Sequence, residues 1–590
     1  MSSAARAPLP RRYISAQAYY HALRAAVAEA QGDLPQAAEA LQLALVYDHE
    51  SLHLTLELGR VSLAQGRVAR AAKMAEQARR LDPGSIPGAL LAAQVEQARD
   101  RPEAAERVLR RAERREVSGV DAALALARLL VAAGRGPEAT PVLRRAAERA
   151  PQEVEALALL ARVERDAGHL DVSAQALRRA VERAPGQRAL RVELTDVLER
   201  QGDLAAAAAQ WADYLERRPG DQAALVHAAR VELLLDGEAD ELLERLRHQT
   251  RSPEDQRRLG MMLARSGRPA EGAALLGGLP KPSALDAKAR LVWGLALEAS
   301  GKEDAALAAL EPIGPDAGPV YLRARVTLAE IHLGAGRPRR ARQAVQAALT
   351  RLPDSAPLLG LMATLHARAG ELQDGLRLVA DARARGIGGR ALVEAEAELL
   401  TRLEGPAAAL ARMQALLRTE GPAGKVAALV ASARAHRALG DDARAEAALE
   451  DAEKEASTPR ERADADLALG AHALDTGARP GQAVRWMRAA LAQAPRDPAV
   501  LSGLGRALLA AGDVEHARTF CERAARLSPR DPKIMEQLGD LQRTAGMPAE
   551  ARTAYRAALK GLDRAVRSGI HGATEDRARV RVQLAGLEGR

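Results

Sequence analysis

The stretch Leu56–Pro83 reads L-E-L-G-R-V-S-L-A-Q-G-R-V-A-R-A-A-K-M-A-E-Q-A-R-R-L-D-P. Apolar and small residues recur at helical spacing on both sides of Gly66, which predicts a helix, a tight turn and a second helix. Ala71, Ala75 and Ala78 line one face of the second helix. Asp82-Pro83 ends it, because a proline ring cannot continue a helix.

The pattern recurs along nearly the whole chain. With the mid-hairpin turn as marker, the series runs Gly32, Gly66, Asp100, Gly134, Gly168, Gly202, Asp236, Gly267, Gly301, Gly336, Gly370, Glu404, Gly440, Gly477, Gly512 and Gly546. Most intervals are 34 residues and all lie between 31 and 37. Glycine holds 13 of the 16 places, because a residue that ends a helix in the left-handed conformation does best without a Cβ. Pro151, Pro185, Pro219 and Pro253 mark joints between hairpins at the same 34-residue interval. Seven residues before the turn most units carry a small residue, as at Gly59, Ala93, Ala127, Ala161, Gly260, Gly294, Gly470, Gly505 and Gly539. Five residues after it comes another, as at Ala37, Ala71, Ala105, Ala139, Ala207, Ala341, Ala517 and Ala551. Antiparallel helices joined by a short turn approach closely only where the contact side chains are small. Leu58, Leu126, Leu160 and Leu504 then fill the gaps between hairpins.

These columns resemble the tetratricopeptide repeat (TPR) family in its long bacterial-type arrays, over roughly residues 18 to 569 and about sixteen units. The family's aromatic positions are mostly Leu, Ala or His here, with Trp211, Tyr214, Trp293 and Tyr555 remaining, and the seventh and twelfth units fit worst. The resemblance implies an all-α fold, an α-solenoid of helix-turn-helix repeats in a right-handed superhelix, with first helices inside and about thirty-two repeat helices plus a terminal one. The chain then divides into a short basic arm (1–17), a regular array (18–253), a degenerate array (254–424), a second regular array (425–569) and a capping helix (570–590). Irregular joints are expected at Leu242–Asp286, which contains G-G-L-P-K-P-S, at Glu311–Pro319, and at Arg383–Arg390 with Thr419–Lys425. Tyr13, Tyr19 and Tyr20 are expected to close the open end. Val580, Val582, Leu584 and Leu587 give the last helix an apolar side. Contacts in such a chain are expected to be local, so unfolding should depart from two-state behaviour.

Composition agrees with stacked two-helix layers. There is a single Phe, and the net charge of +8 is spread over interleaved signs, short of a dedicated nucleic-acid surface. Cys521 is the only cysteine, which excludes an intrachain disulfide. No uncharged apolar run approaches the roughly 18 residues of a membrane span. A cytoplasmic protein is therefore expected. A start lying further upstream would shift the expectation to the periplasm or the outer membrane.

No segment is left over for a catalytic domain, and the sequence implies neither a cofactor nor a resident metal. His49-Glu50-Ser51-Leu52-His53 matches H-E-x-x-H, the zinc-peptidase pattern, which needs both imidazoles on one helix face. His49 occupies the column of Pro83 and Pro151, so the match straddles a joint. Cys521 falls in the column of Ala75, Leu143 and Leu177 and reads as a core thiol. The histidines, His366 among them, are scattered over different repeats without ligand spacing.

The informative column lies six residues before the turn, where the family resemblance implies a place on the concave groove. Arginine fills six of sixteen places: Arg60, Arg128, Arg162, Arg230, Arg434 and Arg506. Asp196, Glu330 and Glu398 also fall there. Arginine offers bidentate hydrogen bonds to carboxylate or phosphate. Asparagine is absent from the sequence, so the carboxylate clamps and amide ladders of other family members cannot form in their usual way. The reading is a non-enzymatic scaffold for protein or peptide partners, with acidic segments expected, and the resemblance points to assembly of a bacterial multiprotein or envelope machine such as pili, motility or polymer export. The alternatives are an RNA-binding helical-repeat protein, in which each unit reads a base, and a zinc peptidase through His49 and His53.

Overall fold

The computed structural model describes residues 15–117, 119–235, 237–250, 252–280, 285–477 and 479–588. Tyr13 and most of the basic arm, the turn residue Asp236, residues 281–283 of the Gly/Pro joint and Gly589 lie outside these. Among the described residues there are 33 α-helices and no strand. Within each unit they pack as successive antiparallel hairpins, beginning with α1 (Ala16–Ala30) and α2 (Leu34–Tyr47) and ending with α31 (Pro532–Thr544) and α32 (Pro548–Arg567), which a single helix α33 (Ala573–Glu588) follows.

The turns form for the reason the sequence suggests. All 13 marker glycines have positive φ, and Asp100 takes the same left-handed conformation at φ 58°. One marker requires correction. Beside Glu404, whose φ is −122°, Gly405 is the left-handed residue, at φ 93°. Gly237 is left-handed as well, at φ 85°, next to Asp236, which lies outside the described residues. With Gly405 as the turn, the intervals on either side become an even 35. The twelfth unit is thus less irregular than its sequence looks. Some helix starts are fixed by side-chain caps, such as Asp33 on the Gln36 amide and the reciprocal Thr458–Glu461 box at α27 (Pro459–Asp475).

Packing follows the two small-residue columns. The alanines five places after the turn are fully buried in all eight cases. The glycines seven places before it sit under a side chain of a neighbouring helix. A Cβ on Gly539 would lie 2.7 Å from the Tyr555 ring, and one on Gly470 would lie 2.7 Å from Met487. The remaining aromatics are core residues. Trp211 is fully buried and stacks on His227, and the Trp293 indole donates to the Ala273 carbonyl. Cys521 is buried against Gly505, and burial pushes its thiol up to about 12. Between Leu242 and Asp286 the chain continues as hairpins, with short helices α14 (Asp240–Gln249) and α16 (Pro269–Gly277). At the C-terminal end α33 buries Val580, but Val582 is exposed, so the apolar side is narrower than the sequence suggested. Tyr19 and Tyr20 are also exposed on α1 and are not folded over the first repeat.

The chain divides into two compact units, Met1–Val197 and Leu198–Arg590, and the boundary falls within α11 (Arg188–Gln201). In the first unit each hairpin packs on its sequence neighbours. In the second unit the later hairpins return to touch earlier ones. Gly202 lies beneath Phe520 and Leu491, with a Cβ there 2.9 Å and 3.2 Å from them. Arg526, on α30 (Val514–Leu527), donates to the carbonyls of Leu234 and Leu235 at the end of α13 (Gln222–Leu235). Arg530 donates to the Glu298 carbonyl and pairs with Glu298 and Glu303 at 3.0 and 2.7 Å. The expectation of purely local contacts therefore fails in this unit. Arginine side chains meet helix C-terminal carbonyls along the seam, where a cation is favoured by unpaired C=O groups and the helix dipole.

Candidate partner-binding groove

Consecutive first helices line open cavities in each unit. In the first unit a cavity of about 430 Å³ lies on α5 (Ile86–Ala98) and α7 (Asp121–Ala132), with Gln94, Arg128 and Glu155 on its walls. In the second unit another of about 430 Å³ runs over α25 (Pro422–Ala438), α27, α29 (Pro498–Ala510) and α31. Its apolar lining includes Val426, Val430, Leu467 and Ile534, and its charged lining is mixed, with Arg390, Arg434, Arg437, Arg506 and Lys533 beside Glu394, Glu461, Asp464, Asp475 and Asp531. Of the arginines in the column, Arg128 lines the first of these cavities and Arg434 and Arg506 line the second.

The structure gives most of the six arginines a carboxylate from an adjacent repeat. Arg60 meets Glu29 of the preceding repeat at 2.5 Å and Glu57 of its own helix at 2.6 Å. Arg128 pairs with Glu155, and Arg162 meets Glu193 at 2.5 Å, each in the following repeat. The hydrogen bond to Arg60 holds the Glu29 carboxyl below its ordinary range, and the bond to Glu193 raises Arg162. Arg506 shares Asp475 with Arg437, at 3.5 and 2.9 Å. Arg434 is exposed, lines the cavity and, among the described residues, makes no ion pair. Arg230 differs from the row, for it is largely enclosed and engages Glu199, a carboxylate only 1 % exposed.

Sequence reasoning missed Arg437, Asp475 and Lys533. A signal was present. Glu29 and Glu199 each stand three residues before a left-handed turn glycine, one repeat ahead of the arginine they meet. An acid in that column followed a repeat later by arginine therefore encodes a pair across the hairpin joint.

The H-E-x-x-H match spans two elements. His49 and Glu50 lie in the turn after α2, and His53 lies in the first turn of α3 (Leu52–Ala64). His49 is exposed, 4.0 Å from Glu50. One histidine read as isolated is not: His366 comes together with Glu371 and Asp374. The Glu371 carboxylate there already accepts from His366 at 2.8 Å and from Arg342 at 2.6 Å, so a guanidinium takes the place a cation would need. No helix among the described residues is long and apolar enough to cross a membrane.

These features define a class, the helical-repeat solenoid with a groove on its first helices. Profiles described as tetratricopeptide repeat match residues 22–86, 90–154, 158–224, 326–389 and 478–538, more than half of the sequence. The chain belongs to the tetratricopeptide repeat family. No protein of curated function matches it. Similar solved structures include the APC/C hetero-tetramer Cut9-Hcn1, at 14% identity over 96% of both chains with a TM-score of 0.30. YrrB, a TPR protein with an unusual peptide-binding site, matches at 20% identity over 32% of this chain and 97% of its own, with a TM-score of 0.25. TTC0263, a thermophilic TPR protein of Thermus thermophilus, matches at 21% identity over 31% and 98%, with a TM-score of 0.26. The TPR fold is typical of protein–protein interaction scaffolds, and the family is in general non-catalytic.

Proposed function

We propose that the chain is a scaffold that holds extended, acidic and apolar partner segments along the groove of its first helices, in the assembly of a bacterial multiprotein or envelope machine. The observation that carries this reading is the cavity over α25 to α31, where apolar residues lie beside Arg434, which makes no ion pair among the described residues. A leucine-like side chain against them would place a neighbouring carboxylate within reach of that guanidinium. Arg506 would then exchange part of its hold on Asp475 for the partner. Arg60, Arg128 and Arg162 play the same part in the first unit. Their pairs with Glu29, Glu155 and Glu193 are half-exposed, and such pairs contribute about 0–1 kcal/mol, so a partner carboxylate can displace the intrachain one. Arg230 serves chiefly to hold Glu199.

The test is a peptide-display selection against the full chain, followed by affinity measurements on the enriched peptides. Acidic-apolar sequences should dominate. Arg434→Ala should weaken them by roughly 1–2 kcal/mol, as for a charge pair in a groove, and added salt should weaken them further. Arg178→Ala, at an exposed arginine outside the column, should leave affinity unchanged. Equal losses from both variants, or enrichment of basic peptides, would refute the reading.

A further inference from the structure

In the seam of the second unit one buried guanidinium, that of Arg523, makes no ion pair among the described residues. Glu199, near the end of α11, is the buried carboxylate there, and both its oxygens are taken. Arg230 engages one, and Arg496, in the joint between α28 (Pro480–Gln493) and α29, approaches the other at 2.7 Å. Arg523 on α30 is only 1 % exposed. One of its nitrogens donates to the Pro495 carbonyl at 2.8 Å, on the segment that carries Arg496. Its Nε and Nη1 are buried and meet no acceptor. Arg265, in the last turn of α15 (Pro253–Arg265), is near enough to Arg496 for that charge to act on it. Among the described residues neither Arg523 nor Arg265 makes an ion pair.

Burial lowers Arg523 to about 10, with the charges of Arg496, Arg526 and Arg230 outweighing part of the help from Glu199. Partial desolvation of its otherwise exposed side chain, and then the charge of Arg496, lowers Arg265 as well. Both remain cationic at neutral pH, since a guanidinium starts from a pKa above about 12. A buried cation with unanswered donors is costly. The usual remedy of losing the proton is closed to arginine. The opposite remedy is to bring in an anion.

We propose that this seam binds a small multivalent oxyanion of the phosphate class, with Arg523 beneath it and the exposed Arg265 and Arg496 at its mouth. A tetrahedral oxyanion presents several acceptors to converging guanidiniums, which is the geometry that arginine forks satisfy well. The near-complete burial of Arg523 favours a free small ion over a phosphate carried on a peptide. Because Arg496 and Arg523 come from the late hairpins and Glu199 and Arg265 from the early ones, the bound anion would also fasten the seam. This site is separate from the partner groove and does not depend on it.

The experiment is calorimetric titration of the full chain with inorganic pyrophosphate, orthophosphate and a phosphoserine peptide, at constant ionic strength in chloride. Pyrophosphate should bind saturably, one per chain. Arg523→Met should weaken it about tenfold or more, as expected for loss of a charge-assisted bond. Should that variant fail to fold, Arg265→Gln and Arg496→Gln act at exposed positions and should each weaken binding by about threefold to tenfold. Arg178→Gln should change nothing. Absence of saturable pyrophosphate binding up to roughly 10 mM, equal affinity in Arg265→Gln and wild type, or preference for the phosphoserine peptide over free pyrophosphate would each overturn the proposal.

Discussion

Residues 1–197 and 198–590 are written in the same repeat and differ in what each repeat touches. In the first unit a turn glycine such as Gly168, at φ 84°, has open space around it. In the second, Gly202, at φ 82°, is roofed by Phe520 and Leu491 from hairpins some three hundred residues later in the chain. The same backbone device therefore ends a helix in one place and also makes a seam in the other. Local contacts give nearest-neighbour stability. Return contacts of high sequence separation tie distant repeats into one cooperative body, at a cost in loop-closure entropy.

The largest expected contrast uses those two glycines. Valine at either position meets the left-handed conformation that L-residues avoid, at about 2 kcal/mol. Gly202→Val also drives a side chain into Phe520, so its total loss should be about 4 kcal/mol, against about 2 kcal/mol for Gly168→Val. Denaturant titration of the two variants checks this, and equal losses would mean that the seam carries no stability.

The carboxyls of the two units also answer pH differently. Among the described residues of the first unit, the shifted ones are held low by arginine hydrogen bonds, as at Glu29, Glu106 and Glu138. The second unit contains carboxyls raised by burial: Glu298, Glu330 and, most clearly, Asp466, pushed up to about 7 by burial and by the charge of Glu453, against the pull of Arg462. A carboxyl whose folded pKa lies above its unfolded value near 4 binds its proton more tightly when folded. Its contribution is fully present below pH ~4 and is lost as pH rises through about 7. Asp466→Asn should therefore stabilise the protein by roughly 2 kcal/mol at pH 8 and leave it nearly unchanged at pH 4. Thermal melts at the two pH values check it. A gain at pH 4 as large as at pH 8 would assign the effect to packing.

The smallest effect concerns a single hairpin. Phe520 faces the seam, whereas Cys521 packs against Gly505 within its own repeat. Cys521→Ala should cost about 1 kcal/mol, at the low end for a core truncation, and leave the seam intact. The thiol, pushed up to about 12 and buried, should react slowly with disulfide reagents in the folded protein. Fast labelling would place it outside the core.

Sequence periodicity carried most of the fold, because hairpin packing depends on residues a few places from the turn. The small columns around Gly59 and Ala71 and the left-handed glycines were readable for that reason. The turn at Gly405 was misplaced by one residue because Glu404 preserved the spacing while the glycine beside it met the backbone need. The ion pairing of the arginine column was not readable, since the partners of Arg60, Arg128 and Arg162 lie about a repeat away. The seam was not readable at all. Nothing in the spacing of Gly202 and Phe520 records that they meet, because such contacts depend on small rotations accumulated over many repeats.

Native-state hydrogen exchange under increasing denaturant tests the contrast most directly, followed at the turn amides of Gly134 and Gly168 and at those of Gly202, Gly267 and Gly301. The account predicts that Gly202, Gly267 and Gly301 lose protection together with the amides of α30, in one transition abolished by Gly202→Val. Gly134 and Gly168 should open in step with their own neighbouring hairpins only. Independent opening of Gly202 and α30 in the unmodified protein would contradict it.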